Sequence, residues 1–272
     1  MLASAFMPAL AMTLAGLLVC RSSAGARALW RCFAWLAGVA LAGAVVLLGW
    51  QWGLPTQAID RGAASAWFAT SPLTASLAVL VQFLGVVIGA FSSRYLEGEA
   101  GQRRYVAALC GVLAAVQLLL LANHWLPLIA AWVAVGAALQ PLLCFYPERP
   151  FALLAAHKKR LADRLADLLL IGAAGLAWWS AGSGSFDDLY AHLADAQASA
   201  LLSWSAVLLA GAVILRTALL PVHGWLIQVM EAPTPVSALL HAGVVNLGGI
   251  VLIRLAPLVE ASTAARWILV VF

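Results

Sequence analysis

Apolar positions in this chain run on for about 18 residues at a time, interrupted by short polar clusters, over most of its 272 residues. Runs of that length are about right to cross a ~30 Å hydrocarbon layer as helices. They predict spans near 2–20, 33–50, 73–92, 106–122, 125–145, 165–182, 201–220 with an extension, 235–256, and a ninth beginning near 264. The expected architecture is all-α, a polytopic bundle of transmembrane helices. The ninth run, "ARWILVVF", stops at Phe272 after a few apolar residues, as a truncated chain or fragment would. Residues 51–72 are too polar to span and carry Trp52 and Trp67, which fits an interfacial loop or hairpin.

Two places break the pattern. Residues 201–230 form one mostly apolar stretch, which as a straight helix would be about 45 Å long, more than the bilayer core. Pro221, followed closely by Gly224, places a helix break at "LLPVHGW". Interrupted backbone at membrane depth is tolerated only inside protein or beside a wet cavity, so the break is a functional candidate. Five residues earlier stands Arg216, the one cation read as deep inside a span. A charge there costs at least ~2.5 kcal/mol and calls for a partner or water, so Arg216 is expected to face the protein interior. The next run, "EAPTPVSALLHAGVVNLGG", starts after Glu231 with Pro233 and Pro235 and carries His241 within it. Arg216, His223 and His241 are therefore the expected polar axis, with Glu231 a counter-ion near its mouth and Trp225 and Pro221 shaping the break.

Composition agrees with a lipid environment: 64% of residues are hydrophobic and 10% charged, with a mean hydropathy of +0.99. The net charge of +4 does not indicate a nucleic-acid surface, because the basic residues sit in alternate loops. Arg21, Arg27 and Arg31 follow the first span, Arg94, Arg103 and Arg104 the third, and Arg149, Lys158, Lys159, Arg160 and Arg164 the fifth. By the positive-inside rule these loops are cytoplasmic and the N-terminus lies outside. Arg254 and Arg266 then flank an outside loop as the local exception. Residues 146–164 read as an amphipathic cytoplasmic connection, either an interfacial helix or a docking surface. The cysteines Cys20, Cys32, Cys110 and Cys144 show no CxxC spacing, so no metal site is expected and they read as packing residues. No haem-ligand pair or dinucleotide glycine motif is present, so no redox cofactor is expected and no catalytic residue is assigned.

The block "RTALLPVHGWLIQVMEAPTPVSALLHAGVV", 216–245, resembles the proton-antiporter-like membrane subunits of respiratory complex I (NuoL type) and of Mrp sodium/proton antiporters. "NHWLPLIAAWVAVG" at 123–136 and "KKRLADRLADLLLIG" at 158–172 resemble further elements of that superfamily. Within it, "HAGVVNLGGIVLIRLAP" at 241–257 is most similar to the DabB type, membrane subunits of inorganic-carbon accumulation complexes. The resemblance implies a fold of two inverted five-helix units, each with a discontinuous helix. Residues 1–92 would then hold the first three spans, 93–256 the first unit, and 257–272 the start of a further helix.

What the resemblance implies for function is a multi-pass subunit of the cell inner membrane that couples proton movement to bicarbonate or CO2 uptake. Its partner would be a large zinc-containing protein of the DabA type, and the chain alone would be no enzyme. The alternatives are a complex I or Mrp-type antiporter subunit, or a membrane anchor that conducts nothing. Two departures bear on this. Val133 stands where the superfamily has a glutamate, and Arg216 where it has a lysine. Valine carries no proton, and arginine is effectively never deprotonated.

Overall fold

A computed structural model describes residues 2–22, 25–53, 67–195, 199–229 and 232–272. The first helices are α1 (Leu2–Arg21), α2 (Ala26–Gly53), α3 (Pro72–Tyr95), α4 (Gln102–Leu121) and α5 (Trp125–Leu143). Then come α6 (Pro150–Ala181), α7 (Phe186–Asp195) and α8 (Ala200–Thr217). The last part of the chain is cut into short pieces: α9 (Gly224–Gln228), α10 (Thr234–Leu239), a π-helical turn (Leu240–Val244), α11 (Leu247–Arg254), α12 (Ala256–Glu260) and α13 (Thr263–Val271). Six described helices are long and apolar enough to cross a membrane: Ser4–Arg21, Ala26–Gly53, Pro72–Tyr95, Gln102–Leu121, Trp125–Leu143 and Ala200–Thr217.

α4 is the centre of the first half, with α1, α2, α3 and α5 packed against it. Its residues explain why. Val112, Leu113, Ala114, Ala115 and Val116 are all buried, and five consecutive residues go right round the helix rather than along one stripe, as a helix surrounded by protein requires. Two amides are buried with it and are satisfied across helices: Gln117 donates to the Ala78 carbonyl at 3.0 Å and Gln82 to that of Ala37 at 3.3 Å. In lipid, such interhelical bonds hold helices that no hydrophobic effect would bring together. Gly89 lets α2 approach α3, since a Cβ there would fall 2.0 Å from the Phe33 ring.

The second half is organised by α6 and α8, which lie along one another. Here the structure corrects the reading of 146–164 as a connection separate from a span at 165–182. Pro150–Ala181 is one helix of 32 residues, because 151–171 is almost all Ala, Leu, Lys, Arg and Asp, with no glycine or proline to interrupt it. It ends at Gly182, whose φ of 70° is the left-handed conformation glycine adopts without strain. The expected single span 235–256 is also corrected. After α10 the Val245 N–H donates to the Leu240 carbonyl, five residues back, at 3.0 Å, and this wider turn and the Val245–Asn246 turn divide the run. The hairpin expected at 51–72 falls mainly outside the described residues.

On the side read as external, the ends of the helices are tied by polar bonds. His124 caps α5, its Nδ1 accepting from the Leu126 N–H at 3.1 Å. Its ring stacks on Trp67 at 4.6 Å and meets the edge of Trp178 at 5.2 Å. Gly184 makes room for it, since a Cβ would come within 2.5 Å of the imidazole. Burial holds the His124 imidazole below its ordinary pKa. Arg254, the exception to the charge asymmetry, donates to the Leu120 carbonyl at 2.9 Å and so serves as a helix-end clasp.

Candidate functional site

The break expected near Pro221 has a definite form. α8 stops at Thr217, Ala218 takes a left-handed φ of 55°, and turns over residues 220–223 lead into α9 at Gly224. Pro221 itself is exposed and Gly224 opens α9. The break leaves Arg216 in the last turn of α8, one residue from its end, and aimed into the bundle, 2% exposed.

Two of the three guanidinium nitrogens of Arg216 are bonded there. One guanidinium nitrogen, Nη1, donates to Asp163 Oδ1 at 3.0 Å, and Nη2 donates to the Trp132 carbonyl at 2.6 Å. Its plane lies 4.7 Å from the centre of the Trp132 ring. Asp163 Oδ2 accepts from a second buried cation, Lys159, one turn back on α6. The lysine ammonium also lies over the Trp225 ring at 5.6 Å, so α9 closes the cluster from the far side of the break. α5 contributes the space: at Gly136 a Cβ would fall 2.9 Å from Arg216 Nη1 and 3.1 Å from Asp163 Oδ2. Four elements therefore converge on one carboxylate, and two cations share it.

A cavity of about 410 Å³ reaches this carboxylate. Val133, Gly136 and Gln140 from α5 line it opposite Asp163 and Asp167 from α6, with Arg104, Arg160 and Arg164 around them. Arg104 is held in place by the Pro141 and Cys144 carbonyls, at 3.3 and 2.9 Å. Asp167 has one buried carboxylate oxygen without a partner among the described residues, and so does Nε of Arg216. Val133, read as a departure from the superfamily's glutamate, lies on the cavity wall. The anion comes instead from α6.

The residues read from sequence fare differently from one another. Arg216 sits in the interior, and Trp225 is buried beside the cluster. His223 is half-buried at the start of α9, its Nδ1 without a partner among the described residues. His241 is not gathered with them. It lies exposed on the π-helical turn, its carbonyl accepting from Asn246 at 3.2 Å, and Arg216 spends its bonds on Asp163 and Trp132. The wide turn changes the register of the helix after Leu240, so the residues beyond it do not continue the face set by α10. Glu231 lies outside the described residues. The reading missed Lys159, Asp163 and Asp167. Their signal was the four-residue spacing, which puts all three on one stripe of α6.

Residues 122–272, more than half of the chain, match the family described as NADH:quinone oxidoreductase/Mrp antiporter, TM. The chain belongs to this antiporter-type membrane family. Among its relatives it is 40% identical over 215 residues to the probable inorganic carbon transporter subunit DabB of Hydrogenovibrio crunogenus, covering 78% of this chain and 42% of that protein. It is 42% identical over 201 residues to DabB2 of Halothiobacillus neapolitanus, covering 72% and 36%. NADH-quinone oxidoreductase subunit L of Neisseria meningitidis is 28% identical over 220 residues, covering 76% and 33%. The chain thus spans less than half the length of the curated relatives it matches. In fold, 96% of it superposes on 53% of a chain of the membrane-bound sulfane sulfur reductase, an archaeal respiratory membrane complex, with a TM-score of 0.81 at 11% identity. The antiporter-like fold, with its interrupted helix, is therefore that of this family.

Proposed function

We propose that the protein works as the membrane subunit of an inorganic-carbon uptake complex, coupling proton movement to capture of bicarbonate or CO2. The observation that carries the coupling part is the buried cluster itself. Two buried cations share one carboxylate at a helix break, and that carboxylate lines a cavity, an arrangement too costly in lipid to be packing alone. The carbon substrate rests on the similarity to DabB subunits; a large zinc-containing partner of the DabA type rests on the sequence resemblance alone. Arg216, Asp163 and Lys159 form the coupling element, with His223 next to it at the break. In this reading the protein sits in the inner membrane with its N-terminus outside and the cavity open to the cytoplasm.

The test is uptake of labelled bicarbonate by cells that express the intact protein with its partner. Uptake should require both proteins and should collapse when an uncoupler removes the proton gradient. Uptake insensitive to the gradient refutes proton coupling and leaves the role of an anchor. Sodium-dependent proton exchange without carbon uptake, or NADH-linked quinone reduction by the purified complex, refutes the carbon substrate in favour of the other branches of the family.

A further inference from the structure

We propose that Lys159 is the proton-carrying group of this chain, exchanging its proton with Asp163 beside an Arg216 that stays charged throughout. The assignment rests on the reading of the cluster as a proton-coupling element and names the group that titrates within it.

The argument starts from what each member can do. A guanidinium does not release its proton in a protein, so Arg216 supplies a fixed charge. Trp132, Val133 and Gly136, the α5 residues at the cluster, have no side chain that exchanges a proton. A buried lysine does lose its proton readily, which is why buried amines serve as acids and bases. Lys159 is 1% exposed and already bonded to the carboxylate that would receive the proton. The charged groups that face it are Asp163 and Asp167 on its own helix and Arg216 on α8, and the Trp225 ring faces it from α9.

Geometry then orders the steps. Asp163 lines the cavity and Lys159 does not, so the carboxylate stands between the amine and water. On release, an N–H bond of the Lys159 ammonium breaks and an O–H bond forms on Asp163, leaving a neutral amine and a neutral acid. The acid then loses that proton to cavity water. Both end states are satisfied electrically. Loaded, Lys159, Arg216 and Asp163 sum to one positive charge. Unloaded, Arg216 and Asp163 remain as a one-to-one ion pair held at 3.0 Å, and the amine keeps N–H groups to donate. A neighbouring fixed cation lowers the cost of the unloaded state, because a like charge disfavours the ammonium.

Proton flux in vesicles that hold the intact complex tests this, with membrane abundance measured for every variant. Lys159→Arg keeps a cation against Asp163 that cannot release a proton, and flux should fall on the order of 100-fold at unchanged abundance. The double variant K159R/R216K exchanges the fixed and the titratable cation and should recover most of that loss. Lys159→Met removes the second cation, leaves the Arg216–Asp163 pair intact, and should accumulate without flux. Wild-type flux in either single variant overturns the assignment. So does a double variant with no recovery, since the size of arginine at 159 would then explain the defect. A wild-type complex that takes up carbon but moves no protons sinks the proton-coupled reading, and the assignment with it.

Discussion

Asp163→Ala is the substitution with the largest expected cost, because one carboxylate neutralises two buried cations. At 3.0 Å and an effective dielectric of ~20, the Arg216–Asp163 attraction alone is about 5.5 kcal/mol before desolvation is set against it. Removing one partner of a buried pair typically costs about 3–5 kcal/mol, since the other is left charged and unpaired. Here two are left, facing each other with the Trp132 carbonyl as the remaining acceptor for Arg216. At roughly 2–4 °C per kcal/mol, the melting temperature should fall by about 10 °C or more. Arg216→Met should cost clearly less, because it leaves Lys159 and Asp163 as a matched pair. Thermal unfolding of the detergent-solubilised protein, followed by loss of the monodisperse size-exclusion peak, measures both. An Asp163→Ala protein that melts within about 2 °C of wild type, or an Arg216→Met protein that loses as much, refutes the shared-carboxylate account.

Three further outcomes are expected. His124 accepts the Leu126 N–H only while neutral, and its folded pKa lies below the ordinary 6.5; its contribution to stability is therefore complete above about pH 6.5 and lost as pH falls through the folded value. Melting temperatures at pH 7.5 and 5 should diverge more for wild type than for His124→Asn, which can still cap the helix; equal divergence removes His124 as the cause. Gly248→Ala should destabilise by about 1–3 kcal/mol, because its Cβ would fall 2.4 Å from Thr217 Cγ2 and 2.8 Å from Val213 Cγ1, whereas Gly249→Ala meets open space and should be neutral or better in the same unfolding assay. Cysteines introduced at 97 and 148 should react with an impermeant reagent from the cytoplasmic side and one at 188 from outside; labelling of 188 from the cytoplasm reverses the proposed orientation.

The membrane character of the chain was legible from hydropathy alone, because lipid demands long apolar helices whatever their neighbours. The break after Arg216 was legible for a similar reason: a run too long for the bilayer and a proline are local facts, and the resemblance of 216–245 pointed to the same place. Partnership was not local. Lys159 and Asp163 read as cytoplasmic charge because three more cations crowd the same stretch, Asp167 fell in the next span without a role, and a solvated face and a buried one look alike when the helix they belong to is misjudged. Only the packing of α6 against α8 turned that stripe inward, brought Asp163 to Arg216 across 53 positions of chain, and let Gly136 admit both. His241 was read as lying within a span because the run around it is apolar, whereas its exposure on the wide turn is visible only in the structure. Chain length and hydrophobicity set which segments enter the membrane. Which of their polar groups meet is decided by helix register and close approach, and neither exists until the helices pack.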